Sequence, residues 1–173
     1  MQDDTPVSRV LVLSAPVSGP IIPITDVPDP TFAQKMVGDG IAVDPTSEVL
    51  LSPCHGTVTQ LHRARHALTL TTPEGVEVLM HIGLETVLLK GQGFTAKVSE
   101  GDAVKPGDPL IAFDAAYIAR RAASLLTLMV IAHGDAVVSY HPASVMAVAG
   151  KTPVLGLRLA ASGKGASGPE PSA

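Results

Sequence analysis

Residues 66–94 read HALTLTTPEGVEVLMHIGLETVLLKGQGF. Two runs rich in Leu, Thr, Val and Ile flank Thr72-Pro73-Glu74-Gly75, where Pro presets one turn dihedral and Gly tolerates a positive one. The stretch reads as a β-hairpin. Taking those four residues as the loop puts His66 opposite His81, with Cβ atoms about 4.5–5.5 Å apart. In that register Leu68, Leu70 and Leu79 share the face of the histidines, while Val76, Val78, Met80 and Ile82 point the other way. A slip of one residue would send the two histidines to opposite faces, and the pattern alone does not choose between registers.

Working outward, short apolar runs recur at Val10–Leu13, Val49–Leu51, Leu110–Phe113 and Val154–Leu159, punctuated by 16 Gly and 15 Pro. Many short strands broken by turns predict an all-β fold, an antiparallel sandwich or barrel-like hybrid, with one or two short helices. The helical candidate is Ala115–Ser124, with Arg120 and Arg121 near its end, where cations complement the helix dipole. Two segments, LLSPCHGTVTQL (50–61) and VSEGDAVKPGDPLIAF (98–113), look like variations on one theme. Aromatics are only 3% of a chain that is 46% apolar, so the core must be built from small aliphatics.

The 173 residues fit one domain. We expect a flexible N-terminus over 1–9, the domain over 10–159, and a disordered tail from 160 to 173, where ASGKGASGPEPSA offers too little apolar surface to offset ordering. A net charge of −4 without a Lys/Arg run excludes the electrostatic footprint of a nucleic-acid binder. Acidic residues near the start and the lack of a long apolar stretch predict a cytoplasmic protein. The lone Cys54 reads as a buried thiol.

Paired imidazoles suggest one chemistry above others. A neutral ring offers one nucleophilic nitrogen while the other is held by a hydrogen bond. Such a nitrogen can accept a phosphoryl group, whose transfer needs mainly in-line positioning and charge stabilisation. No cofactor is required.

The run Gly75–Val87, GVEVLMHIGLETV, resembles the phosphorylation-site signature of glucose-type enzyme IIA components of the bacterial phosphoenolpyruvate-dependent sugar phosphotransferase system. Further similarity lies in Ala15-Pro16-Val17-Ser18-Gly19, in Val37-Gly38-Asp39-Gly40-Ile41-Ala42 and in Leu88–Phe94, so that it extends from Val10 to Leu159. The resemblance implies that His81 becomes a phosphohistidine, charged by the phosphocarrier protein HPr, and that the group passes to a cysteine of an enzyme IIB domain. His66 would assist onward transfer. Leu68, Leu79, Ile41 and Asp39 would form the docking surface, and membrane association would come only through the permease. The sugar, glucose or N-acetylglucosamine, is left open, and a shuttle that exposes its docking face twice is expected to be a monomer.

Departures from the family's pattern accompany the likeness. Ala64 stands where a hydroxyl often orients the assisting histidine, and Arg63 and Arg65 flank the site. Aromatics that line the site in relatives are expected to be replaced by Leu79 and His62. Asp39, between two glycines, reads as a turn residue; His55 and His62 read as surface or packing residues, and His133 and His141 as loop residues.

Three other chemistries fit the residues less well. A zinc hydrolase of similar fold needs three protein ligands and a His-x-His pair that is missing here, although a carboxylate lent by a partner could complete an interface zinc site at His66 and His81. A biotinyl- or lipoyl-type carrier, suggested by GDAVKPGDPL, needs a lysine at an exposed hairpin tip. A regulatory binding protein would not need both histidines.

Overall fold

The protein's structure, a computed structural model, describes residues 9–133, 137–140 and 145–159. The aliphatic runs form strands β1 (Arg9–Ser14), β2 (Gly19–Pro23), β3 (Asp39–Val43), β4 (Val49–Leu51), β5 (Gly56–Leu61), β6 (Ala67–Thr71) and β7 (Glu77–Leu84). They continue as β8 (Phe94–Ala96), β9 (Ala103–Val104), β10 (Pro109–Phe113), β11 (Ser124–His133), β12 (Val137–Tyr140), β13 (Met146–Ala147) and β14 (Pro153–Leu159). Two short helices interrupt them, α1 (Pro30–Ala33) and α2 (Ala115–Arg121). The all-β expectation holds. β1 begins at Arg9, one residue inside the segment expected to be flexible; the expected tail, 160–173, lies outside the described residues.

An eight-stranded sheet runs in the order β13-β2-β3-β11-β7-β6-β5-β9, beside two three-stranded sheets, β4-β10-β8 and β1-β14-β12. Among the described residues the strand pairings along these sheets are antiparallel. Leu13, Leu155 and Leu157 of one small sheet, Leu50, Leu110 and Phe113 of the other, and Ile41, Met80 and Met129 of the large one share a single buried cluster. The two look-alike segments clasp each other: β4 pairs with β10 and β5 with β9.

The 72–75 turn differs from its expected form in one respect that matters. The Val76 amide donates to Thr72 Oγ1 (3.1 Å), and the Thr72 amide donates to the Val76 carbonyl (2.9 Å). Val76 therefore belongs to the loop, buried, rather than to the strand. One extra loop residue shifts the register by one: Ala67 faces His81 and Leu68 faces Met80.

Two adjacent rows, pointing to opposite faces of the sheet, follow from that register. Ile41, Met129, Met80 and Leu68 run side by side across β3, β11, β7 and β6 on the face toward the main core. Ala42, Leu128, His81 and Ala67 form the adjacent row, pointing to the opposite face as pleat alternation requires. Leu68 and Ile41 are each only 1% exposed, so neither can form a docking surface as expected.

The outer face has its own smaller cluster, in which Ile24, Val27 and Phe32 cover Ala42, Leu128, Val130 and Leu84. Asp29 caps α1 by accepting from the Thr31 amide (3.0 Å), with Pro30 in the first turn. α2 is capped by Asp114, which accepts from the Tyr117 amide (3.0 Å). It stops at Arg121 because Ala122 is extended (φ −99°, ψ 166°), and Ser124 already opens β11.

Candidate functional site: a cluster of histidines at the edge of the outer cluster

His81 lies within β7, half-buried, with Nδ1 2.7 Å from the Gly83 carbonyl oxygen. A carbonyl can only accept, so a neutral His81 carries its proton on Nδ1 and keeps the lone pair on Nε2. Gly83 adopts φ +74°, and a Cβ there would stand 2.6 Å from Thr86 Cγ2 and 2.8 Å from the Ser124 carbonyl oxygen. Thr86 is fully buried and donates Oγ1–H to the Ile82 carbonyl (2.6 Å). The His-x-Gly-x-x-Thr spacing thus builds one device: Gly83 supplies the carbonyl that sets the tautomer, and Thr86 fastens the backbone beneath it.

His66 reaches the same site by a different route from a cross-strand pair. It stands just outside β6, in the turn after β5, where Arg65 takes a left-handed φ of +62° and its amide donates to the His62 carbonyl (2.8 Å). The His66 carbonyl still accepts from the Ile82 amide (2.8 Å). Released from strict alternation, the His66 ring sits 4.8 Å from that of His81, nearly perpendicular at 83°. The two histidines share one site, as expected, although the register that suggested it was off by one.

The surroundings are more aromatic than expected. Phe32 of α1 packs 5.5 Å from the His81 ring, and Phe94 lies 6.4 Å from that of His66. Leu79 is half-buried and packs against the outer cluster, as an aliphatic beside these rings rather than in their place. The sequence pattern does not mark Phe32, because the helix carrying it is a single turn, too short for any periodicity; Asp29-Pro30 signals only where that helix starts. His62 is exposed, yet its ring lies 4.3 Å from that of His66.

Burial lowers the His66 pKa from 6.5 to about 4, with repulsion from His81 and His62 adding to it. Burial also holds His81 below the usual imidazole value, opposed by its hydrogen bond to Gly83 and by the Asp29 carboxylate. Both rings are neutral at pH 7, the state a nitrogen nucleophile needs. His66 Nδ1 is buried with no hydrogen-bond partner among the described residues, in keeping with the hydroxyl missing at Ala64.

Other candidates fall elsewhere. Asp39 opens β3 rather than forming a turn, and its half-buried carboxylate accepts from the Tyr140 hydroxyl and the Gly40 amide while pairing with Lys35 (3.3 Å). Cys54 is buried, and burial followed by the Glu74 charge pushes its thiol up to about 12, which leaves it inert. Arg63 and Arg65 are exposed on the turn leading to His66. His55 is exposed beside Thr57 on a separate groove, the His133 side chain is outside the description, and so is His141. Among the described residues no group of three or more His, Cys, Asp or Glu could hold a metal ion.

Residues 11–137 match the family described as phosphoenolpyruvate-dependent sugar phosphotransferase system, EIIA 1. The chain belongs to this family. It is 46% identical over 142 residues to the glucose-specific EIIA component of Bacillus cereus, covering 82% of this chain and 86% of that one. The glucose-specific EIIA component of Halalkalibacterium halodurans is 42% identical over 149 residues, 86% of each chain. Glucose permease IIA from Mycoplasma capricolum superposes with a TM-score of 0.80 at 31% identity, covering 86% of this chain and 96% of that one. As an EIIA component the chain is a phosphoryl carrier in sugar uptake, a phosphotransferase with the fold of its relatives. No helix among the described residues is long and apolar enough to cross a membrane.

Proposed function

We propose that His81 carries the phosphoryl group on Nε2 and that His66 assists its departure. The observation behind this reading is the 2.7 Å contact between His81 Nδ1 and the Gly83 carbonyl, which leaves Nε2 as the free base beside the His66 ring. In the first step the Nε2 lone pair forms a bond to phosphorus as the donor's nitrogen–phosphorus bond breaks, its electron pair returning to the donor ring. The proton stays on Nδ1, because the Gly83 carbonyl cannot remove it. In the second step an acceptor thiolate sulfur bonds to phosphorus, and the pair of the broken bond returns to Nε2. An N–H of His66 stabilises the phosphoryl oxygens in both.

The donor is phospho-HPr and the acceptor is the cysteine of an enzyme IIB domain, by extension from EIIA components as a class. Cys54 is too buried to serve as that acceptor. The names of the relatives make glucose the sugar to test, and the exchange takes place in the cytoplasm. For docking, Leu79 and Asp39 remain, joined by Met36 and Leu88, both 70% exposed, and Val87, in the segments adjoining Phe32 and Thr86.

The test is intact mass after incubation with enzyme I, HPr and phosphoenolpyruvate. One acid-labile phosphoryl group should appear on the wild type and not on His81→Ala, while His66→Ala should accept it and pass it on slowly. Phosphorylation of His81→Ala, or normal relay by His66→Ala, would overturn the respective role.

A further inference from the structure

His62 has no part in the reading above, yet it completes a stack of three imidazoles. Its ring lies 4.3 Å from that of His66 at 64°, and His66 lies 4.8 Å from His81 at 83°. His66 is 3% exposed and His81 half-buried, so His62, exposed, is the member at the solvent side. A phosphoryl group must leave His81 toward solvent, because that is where an acceptor can dock.

The backbone fixes the state of the His62 ring. Its Nδ1 accepts from the Ala64 amide (3.1 Å), which places the proton of the neutral ring on Nε2 and leaves that N–H free to donate. The backbone that carries the ring is anchored on both sides: the His62 amide donates to the Ala67 carbonyl (2.9 Å), and the His62 carbonyl accepts from the Arg65 amide (2.8 Å). The His66 ring has no such support, since its Nδ1 is buried without a partner among the described residues. His62 is also close enough to both other rings to hold the pKa of His66 and of His81 down.

We propose that His62 is a third histidine of the phosphoryl site, donating Nε2–H to a phosphoryl oxygen as the group passes from His81 to its acceptor. The inference rests on His81 being the phosphorylated residue. A donor aimed at charge that shifts during transfer acts on the rate of the step itself. Because His62 lies at the rim rather than beside Nε2, its effect belongs to departure more than to acceptance.

Two substitutions separate donation from packing. His62→Phe keeps a ring against His66 and removes the N–H; His62→Gln keeps an amide N–H and removes the ring. With phospho-protein prepared from enzyme I, HPr and phosphoenolpyruvate, transfer to an enzyme IIB domain should slow about tenfold in His62→Phe, as loss of a hydrogen bond to a charged group implies. His62→Gln should recover most of that loss. In the wild type, the His62 side-chain ¹⁵N resonances should move on phosphorylation while those of the remote His55 stay fixed.

Normal transfer by His62→Phe, or an unmoved His62 resonance, overturns the proposal. Equal slowing in both variants assigns the effect to ring packing and overturns donation. Wild-type protein that takes up no phosphoryl group on His81 removes the reading beneath it, a result visible in the mass spectrum before any variant is compared.

Discussion

The Gly83 carbonyl determines which nitrogen of His81 is nucleophilic, so a change at Gly83 acts on chemistry without touching the ring. Gly83→Ala must place a Cβ 2.6 Å from Thr86 Cγ2 at φ +74°. We expect a loss of about 2 kcal/mol or more in urea unfolding, together with at least tenfold slower phosphoryl uptake as the tautomer is released. A variant that is folded, stable and phosphorylated at the normal rate would remove the tautomer argument. A second prediction at this scale concerns pH. His66 titrates at about 4 in the folded chain against 6.5 in an ordinary environment. Between those values the unfolded chain binds the extra proton, so stability is fully present above about pH 6.5 and falls as pH drops toward 4. The contribution is about 3 kcal/mol, and His81, shifted the same way, adds to it. Urea unfolding from pH 7 to 4.5 should therefore show a shallower decline in His66→Gln than in the wild type. Equal slopes would mean that His66 titrates normally in the fold.

At the scale of elements, the strands were legible because small aliphatics between Gly and Pro leave few alternatives, and the hairpin was legible from Pro73 and Gly75. Its register was not. Val76 looks like the first strand residue, but Thr72 Oγ1 captures its amide, and a side-chain hydrogen bond within a loop has no periodic signature. Likewise the nearness of His66 and His81 depends on the left-handed Arg65 in a turn that hydrophobic pattern cannot describe. Both residues were legible as a pair, whereas Phe32 joins the site because α1 packs on the outer face of the sheet, and His62 because the turn after β5 brings its ring against that of His66. α1 shows what such an element contributes. Phe32 is 7% exposed and joins the outer cluster to the His81 ring. Phe32→Ala should cost about 3 kcal/mol and should accelerate amide exchange at Phe32, Ala33 and Gln34, whose bonds hold the turn. If exchange there is unchanged, the helix is held by its Asp29 cap alone and Phe32 is not what seats it against His81.

At the scale of the whole molecule, three sheets would ordinarily allow three separate openings, but the core and the backbone both argue against it. Leu110, fully buried on β10, belongs to the same cluster as Leu13 and Leu157 of one sheet and Met80 and Met129 of another. The links that carry the chain between sheets are also bonded to each other: the Ser52 amide donates to the Asp108 carbonyl (2.8 Å) and the Gly107 amide to the Ser52 carbonyl (2.9 Å). The small β4-β10-β8 sheet cannot then lift away without opening the face behind His81. We expect one cooperative transition, and Leu110→Ala should lower its free energy by about 2–5 kcal/mol. The chain has no Trp, so backbone probes are suited to the test. Native-state hydrogen exchange at Leu157, Ile111 and Met129, one amide from each sheet, should give a common opening free energy in the wild type, and the substitution should reduce all three equally. A drop confined to Ile111 would show instead that the small sheet opens as its own unit. His81 would then be supported by the large sheet and its outer cluster, independent of the clasp between β4-β5 and β9-β10.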